Sequence, residues 1–535
     1  MMNGSESISP LRFSLSDMEL FSAASRDRNP LHLSRLYARN TPYGERVVFG
    51  VLGGLACLGR CLNGRQRVRL AKVSMEFLNP IYPSIDYSVE SAEVSCQEVR
   101  VKLRDGKRVV LKAAFQFDES SAFIASDEAE NFGHDACAAA HLESARDLSD
   151  EELVVGYTTR GAYAPSQSDL RQLVERVGLG GGEIDASQVS ALLLSSYIAG
   201  MELPGTRALF SKLTLDFTGQ ASASNGRLNY EATISSFDKR FGFLKIEAGV
   251  SAGQNQLARA ELRVFVRPQS PAPDSLGTQP SKGCGTKLND KVALVIGASR
   301  GLGAATALAL AAHGCTVYIN FWRNRAKAEE LKKLADGSGR IILLQGDASN
   351  LGWCQKMRDI VVREHGKLDY LICNACLPLL PLRIEAGAAR RINDYVAQSL
   401  ALVSVPMAVF LETLEESGGR NVVISSEAIH TAPADWPHYV SAKWAIEGLT
   451  RVAASAHERV GFIIVRPPTL ATDLLNTPMG RQSAISPSVV ANAIVKCLRK
   501  SSTSQVRVLE NFREPELHVP PSGIIPAQVE GRLSE

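Results

Sequence analysis

The stretch from Lys291 to His313 constrains the fold more than any other part of the chain. An apolar run, Lys291–Ile296 (KVALVI), enters Gly297-Ala-Ser-Arg-Gly-Leu-Gly303, and a helix-forming segment, Ala304–His313, leaves it. A near-continuous apolar strand is buried on both faces, the condition of a parallel sheet covered by helices. Glycines are needed here because the backbone must turn tightly and approach a pyrophosphate, whose charge the helix N-terminus stabilises. A glycine run alone is weak evidence, but the following strand, Thr316–Asn320, completes the strand–loop–helix–strand context. Strands and helices then alternate, the pattern of an α/β doubly wound parallel sheet of the Rossmann type.

A chain of 535 residues exceeds what one core can hold, so two to four domains are expected. The clearest seam is Arg267–Asn289, rich in Pro, Gly and Ser, with almost nothing to bury. A softer one is Asp118–Asp150, acidic and rich in Ala and Ser. Ahead of the softer seam the pattern reads as a helix (Ser16–Ala24), a small-residue apolar helix (Gly50–Arg60) and strands near Val68–Leu78, Tyr87–Val94, Val99–Leu103 and Arg108–Phe117. Between the seams it repeats: an apolar helix (Ser187–Ala199), then strands near Ala208–Phe217, Leu228–Phe237, Gly242–Ala248 and Ala258–Val266. Two helix-plus-sheet units imply an internal duplication. The expected organisation is a first unit over 1–118, a linker over 119–160, a second unit over 161–267, a linker over 268–288, the α/β domain over 289–510 and a tail over 511–535.

Net charge is only +3, so no whole-chain field argues for nucleic acid as a partner. The longest apolar stretches, such as Val292–Ile296 and Ala401–Leu411, are too short to span a bilayer. The N-terminus (MMNGSESISP) lacks a signal-peptide pattern, and the C-terminus, RLSE, is not a peroxisomal address. Ten cysteines without an export signal read as reduced thiols, so a cytoplasmic enzyme is expected, with no membrane partner.

The GxxxGxG spacing of Gly297, Gly301 and Gly303 resembles the short-chain dehydrogenase/reductase family, and the rest of the C-terminal half agrees. Asp347 in QGDAS, with Ala348 beside it, stands where that family contacts the adenine. Asn374 in CNAC matches the second Asn of its NNAG, Ser426 its catalytic Ser, Tyr439 and Lys443 its YxxxK, and Thr472 in RPPTLATD the Thr near the nicotinamide carboxamide. The resemblance implies that Ser299, Arg300 and Leu302 in the loop also touch the cofactor. Hydride delivery to a ketone leaves an alkoxide, so a proton donor must stand beside the oxygen. Tyrosine is a weak acid at neutral pH, and Lys443, four residues on and hence on the same helix face, is expected to lower its pKa. Ser426 would hold the carbonyl oxygen in line with Tyr439.

An NAD enzyme usually carries an acid at the end of the second strand. This chain has Asn320-Phe-Trp-Arg323 instead, with Arg300 in the glycine loop, and two guanidinium groups suit the 2′-phosphate of NADPH. The alternative for Arg323 is a solvated first-turn residue. Three departures from the family pattern stand out. The helix Asn that extends its proton relay falls at Gln398 or Ser399, the Gly of NNAG is Cys376, and the Gly of its PG motif is Pro468. Cys373 and Cys376 form a CxxC, but no second pair stands at zinc spacing, so no metal is expected.

In the N-terminal half, Asp27 and His32 flank an Asn-Pro turn that can bring the two side chains together. Taken alone, the pair reads better as a capping Asp with an incidental His. The longer run DRNPLHL…YA…G…RVVFG, an apolar helix and then FLNPIYP resemble MaoC-type hot-dog (R)-specific hydratases and dehydratases. A weaker echo in Leu192–Phe217 lacks the Asp/His pair, as the inert half of an α+β double hot-dog would. The resemblance implies that Asp27 and His32 are the acid/base pair acting on an enoyl thioester, with the backbone NH of Gly50 at an oxyanion. Arg26 replaces the family's Gly before the Asp, and Phe49 its His before the Gly. A basic stretch, Arg60, Arg65, Arg67, Arg69 and Lys72, reads either as a phosphate or carrier contact or as a solvated strand face.

Joined, the halves imply a bifunctional NADPH-dependent 3-oxoacyl-thioester reductase and (3R)-hydroxyacyl-thioester dehydratase, as in fatty-acid-like or polyketide synthesis. The substrate would ride on acyl carrier protein or coenzyme A, and a homo-oligomer is expected. The alternative makes the N-terminal half a non-catalytic acyl- or carrier-binding module. An oxidative, degradative role is disfavoured by Arg300 and Arg323.

Overall fold

The computed structural model describes residues 10–39, 41–62, 68–118, 142–181, 184–218, 227–268, 288–335, 340–379, 381–475, 484–499 and 506–512. Most of both expected linkers, the tail beyond 512, and Arg65 and Arg67 of the basic stretch lie outside these residues.

The N-terminal half begins with a short strand, β1 (Leu11–Arg12), and helix α1 (Leu15–Ser25). Ser14 and Asp17 form a reciprocal capping box at the start of α1, satisfying amides that the first turn leaves open. Arg26 ends it with φ of 58°, the left-handed C-cap that favours glycine. Two single-turn helices follow, α2 (Pro30–Leu33) and α3 (Arg35–Ala38), then the apolar helix α4 (Gly50–Leu62). Strands β2 (Leu70–Phe77), β3 (Asp86–Ser95), β4 (Glu98–Asp105) and β5 (Arg108–Phe117) complete the unit.

The second unit repeats the order: β6 (Thr158–Tyr163), α5 (Gln167–Arg176), α6 (Ala186–Tyr197), then β7 (Ala208–Phe217), β8 (Leu228–Asp238), β9 (Phe243–Ala252) and β10 (Asn255–Val266). All ten strands form one antiparallel sheet, ordered β1-β3-β4-β5-β2-β7-β10-β9-β8-β6. Read outward from the central β2–β7 pair, the two halves have the same topology. The duplication extends to the edge strands β1 and β6 and to the helices α1 and α5, which pack on each other.

The segment 119–160, expected as linker, is therefore linker only in part. Leu148 and Leu153 are buried in the shared core, and β6 starts at Thr158. This stretch escaped a sequence reading because β6 alternates weakly (TTRGAY) and α5 is polar on most of its surface. Both central helices are buried nearly all round, as expected of helices wrapped by a sheet: every residue of α6 after its first is buried.

The C-terminal half is a seven-stranded parallel sheet: β11 (Val292–Ile296), β12 (Thr316–Phe321), β13 (Arg340–Gln345), β14 (Tyr370–Cys373), β15 (Arg420–Ile424), β16 (Gly461–Val465) and β17 (Val506–Leu509). The order is β13-β12-β11-β14-β15-β16-β17. Helices α7 (Gly301–Ala312) and α8 (Arg325–Leu334), with Pro487–Leu498, cover one face. Helices α9 (Leu351–His365), α10 (Ala389–Ser417) and, beyond the single-turn α11 (Ala428–Thr431), α12 (Pro437–Ala456) cover the other. The strand order reverses between β11 and β14, so the crevice at their C-terminal ends is where such sheets bind ligands.

Ala401–Leu411, judged too short to span a bilayer, lies within the 29-residue α10, which with its preceding turn is long and apolar enough to cross a membrane. Here it lies along the sheet, burying Val403, Met407, Phe410 and Leu414.

The halves meet beside the crevice. Arg108, at the tip of the β4–β5 hairpin, donates to Asp435 at 2.9 Å, and the same carboxylate receives Arg383 at 2.8 Å. A Cβ at Gly44 would stand 2.4 Å from the Pro378 side chain, so glycine permits this close approach.

Candidate active site

The glycine loop runs from the end of β11 into the N-terminus of α7. Gly297 and Gly301 have φ of 76° and 57°, which glycine adopts without penalty. A Cβ at Gly303 would lie 2.4 Å from the Gly297 carbonyl oxygen and 2.5 Å from the Asn374 amide. Glycine there lets α7 start close to the strand, leaving its N-terminal amides facing the crevice. The Asn374 side chain donates to the Gly297 carbonyl at 2.7 Å and ties the loop to β14.

The crevice is a cleft of about 620 Å³. Of the sequence-predicted reductase residues, Gly297, Ser299, Arg300, Gly301, Leu302, Arg323, Asp347, Ala348, Asn374, Ser426, Tyr439, Lys443 and Thr472 all line it; Gly303 stands behind them. Asp347 accepts from the Ser349 backbone at 2.9 Å and its hydroxyl at 2.7 Å, turning the chain after β13. Thr472 faces the loop: a Cβ at Gly301 would be 3.3 Å from its methyl. Cys376 and Gln398 also line the cleft, whereas Ser399 is buried, so Gln398 is the one of the two that faces the cavity. Cys373 is buried in β14, and among the described residues no group of three His, Cys, Asp or Glu could hold a metal.

Tyr439 and Lys443 lie one turn apart on α12, both buried, with the Lys443 ammonium 5.4 Å from the tyrosine ring centre. Lys443 donates to the Ile424 carbonyl at 2.7 Å, anchored to the end of β15. Burial lowers its pKa, an effect that Cys376 and Glu447 oppose. The expected depression of the Tyr439 pKa is not found. Burial and nearby Cys376 raise it, against a lowering by the Ser426 hydrogen bond. The phenol thus holds its proton at neutral pH. That suits a proton donor to an alkoxide, the conjugate base of a far weaker acid. Behind them, Glu447 takes Ser425 at 2.7 Å and Arg466 at 2.8 Å, fixing the β15 and β16 ends relative to α12.

Sequence reasoning missed the contribution of the N-terminal half to this cleft: Leu36 and Arg39 line it. Nothing in the local sequence ties residue 39 to a loop 260 positions away. Trp322 and Trp436 also line it without a motif to mark them.

The N-terminal candidates are arranged differently. Asp27 is only 1% exposed, and its carboxylate accepts from the Asn29 backbone at 3.0 Å and the Ser196 hydroxyl of α6 at 2.7 Å. A Cβ at Gly200 would stand 2.4 Å from it, so the second unit packs directly onto this carboxylate. Burial raises its pKa to about 7, against those two hydrogen bonds. His32 keeps an edge at the surface, but its ring stacks on Phe49 at 3.9 Å and its Nδ1 meets the Val47 carbonyl at 2.7 Å. Burial pushes its pKa down to about 4. Phe49 thereby places His32 beside Gly50 at the N-terminus of α4, while Asp27 is engaged by the second unit. In the second unit only nine residues, against 24 in the first, separate the first helix from the central one, which leaves no room for a counterpart of α2 and α3. Of the basic stretch, Lys72 pairs with Asp216 at 2.7 Å and Arg69 with Asp118 at 3.9 Å, the arrangement of a solvated strand face.

A doubly wound sheet, a glycine loop at its switch point and a Ser–Tyr–Lys group in the same cleft define a nucleotide-dependent oxidoreductase. Residues 291–483 match the short chain dehydrogenase family, and the chain belongs to that family. It is 33% identical over 191 residues, 34% of this chain and 77% of the other, to the uncharacterized oxidoreductase YgfF of Escherichia coli. It is 28% identical over 194 residues, 35% of this chain and 78% of the other, to a 3-oxoacyl-[acyl-carrier-protein] reductase of Synechocystis. Among solved structures, an alcohol dehydrogenase of the archaeon Thermococcus sibiricus complexed with 5-hydroxy-NADP overlays with a TM-score of 0.38 at 24% identity, covering 42% of this chain and 99% of the other.

Proposed function

We propose that the C-terminal half is an NADPH-dependent 3-oxoacyl-thioester reductase, and that the observation carrying this reading is the convergence of Ser426, Tyr439 and Lys443 with the glycine loop in one cleft. The loop's open amides fit a pyrophosphate, and Arg300 and Arg323 at the same rim fit a 2′-phosphate. When bound, the dinucleotide supplies a hydride to the carbonyl carbon. Ser426 orients the carbonyl oxygen, and the Tyr439 hydroxyl gives its proton to that oxygen as the C=O π bond breaks and its electron pair moves onto the oxygen. Lys443 stands behind Tyr439 and stabilises the phenolate that results. The thioester class of the substrate rests on similarity to the Synechocystis reductase and on the attached N-terminal half.

The N-terminal half we read as a double hot-dog: two copies of one topology, each with a central helix, joined through β2 and β7. Its leading role is acyl or carrier binding, because Asp27 is buried and both its oxygens are engaged. A dehydratase reading is favoured by one observation, that Asp27 exchanges its proton near neutrality while His32 lies beside the N-terminus of α4. Incubation with a 3-oxoacyl thioester and NADPH, followed by mass analysis, tests both. A 3-hydroxyacyl product alone supports the reductase with a binding module, a 2-enoyl product supports both activities, and no NADPH consumption with any carrier removes the reductase reading.

A further inference from the structure

The cofactor cleft belongs to the C-terminal half by sequence, yet part of its rim is built by residues more than 250 positions upstream. Leu36 of helix α3 (Arg35–Ala38) and Arg39, its C-cap, line the cleft with Arg300, Trp322 and Arg323. The Arg39 guanidinium lies 5.6 Å from the centre of the Trp322 ring, and the Arg323 guanidinium lies 3.6 Å from the same ring. The Arg39 carbonyl receives the Arg300 guanidinium at 3.5 Å, so loop and helix are in register. Among the described residues no carboxylate reaches ion-pair distance of Arg39 or Arg323. Arg300 shares Asp473 with Lys327, each at 3.5 Å.

Arg39 and Arg323 thus flank one exposed indole with no ion-pair partner among the described residues, and Arg300 lies on the same cleft rim. Burial lowers the Arg39 pKa, and Arg35, Arg323 and Arg300 lower it further, with Glu45 alone opposing. Such a cluster is repulsive in the free protein and is relieved by a dianion. An indole flanked by cations also offers a face to a purine.

We propose that Arg39, supplied by the N-terminal half, is a specificity-determining residue for the reductase: it completes the 2′-phosphate subsite of the dinucleotide with Arg300 and Arg323. This rests on the NADPH reading above. Selectivity for NADPH over NADH is then a property of the joined chain, and a cation outside the nucleotide-binding domain contributes to it.

The test measures NADPH and NADH dissociation constants by quenching of tryptophan emission in the full-length protein. Arg39→Ala should weaken NADPH about tenfold, the loss of one charge-assisted contact, and leave NADH unchanged. Turnover at saturating NADPH should be kept, and Arg39→Lys should recover part of the loss. Arg35→Ala, on the same helix but paired with Glu45 at 3.1 Å, should do little. If Arg39→Ala leaves NADPH binding intact while Arg323→Ala weakens it, the role of Arg39 is overturned and the NADPH reading stands. Equal weakening of both cofactors also overturns it, since the residue then acts on shape and not on the phosphate. If wild type binds NADH as tightly as NADPH and Arg323→Ala changes nothing, the underlying cofactor reading fails.

Discussion

In the C-terminal half the motif residues converge on open space; in the N-terminal half they converge on packed interior. Ser426, Tyr439 and Lys443 come from a strand end and a helix, and all three face one cleft. Asp27 and His32 lie five residues apart, yet the first is held by Ser196 of the second unit and the second is stacked on Phe49. The difference is one of surroundings and not of residue type. A topological switch point leaves a crevice whatever the side chains, whereas a sheet wrapped on two helices leaves space only where small residues line it. Phe49 stacks on His32, and the close approach of Gly200 covers the Asp27 carboxylate.

The largest expected effect tests the open half. Tyr439→Phe keeps the ring packed against Trp436 but removes the proton donor, so reduction should fall by about 10²–10⁴-fold with NADPH binding intact. Lys443→Ala should lower both turnover and cofactor affinity. Near-normal turnover of the Phe variant would mean that the proton comes from elsewhere, and the contrast between the halves would lose its catalytic side.

A second, smaller effect concerns cofactor choice. Removing Arg323, whose guanidinium stacks on Trp322 at 3.6 Å, should cost about tenfold in kcat/KM with NADPH and little with NADH. Arg300→Ala should act in the same direction but less, because Asp473 already shares its charge. Equal kinetic efficiency with both cofactors in wild type would remove the assignment.

These residues were legible in the sequence because a glycine loop, a Tyr and Lys four apart on one helix, and a missing acid after β12 each dictate local geometry. The duplicated sheet was legible for the same reason: period-two alternation in strands such as β10 and β5 marks one buried face. What the sequence concealed was non-local. Thr158–Tyr163 has little alternation and becomes a strand only by pairing with β8. Arg39 reaches the cleft only because the β4–β5 hairpin and α3 dock on the other half. The Tyr439 proton affinity, expected to fall through Lys443, rises because the phenol is buried and lies near Cys376.

A third prediction sharpens the other side of the comparison. If the N-terminal half only binds, Asp27→Asn should leave ketoreduction unchanged, since Asp27 is not among the residues that line the cleft. Should the same variant abolish formation of a 2-enoyl product that wild type makes, by about 10²-fold or more, the buried carboxylate is catalytic despite its partners.

The smallest effect is on stability, and its sign separates the two buried groups. Asp27 has a folded pKa of about 7 against an ordinary 3.8, so between those values the folded protein holds a proton that the unfolded chain releases. Its contribution therefore falls as pH rises through that window. His32 has a folded pKa of about 4 against an ordinary 6.5, so the unfolded chain takes up the proton first and its contribution rises with pH over that window. From pH 4 to 6.5 the two slopes oppose, and wild type should show little net change from this pair. Asp27→Asn exposes the histidine slope, so that variant should gain stability as pH rises. His32→Gln exposes the aspartate slope and should lose it. Each slope amounts to at most a few kcal/mol, or several degrees of melting temperature. All four tryptophans lie in the C-terminal half and eight of the twelve tyrosines in the N-terminal half, so tryptophan emission follows the C-terminal transition and tyrosine absorbance is weighted toward the N-terminal one. Parallel slopes in the two variants would mean that these side chains are more solvated than their packing implies, and the open-versus-packed contrast would have to be redrawn.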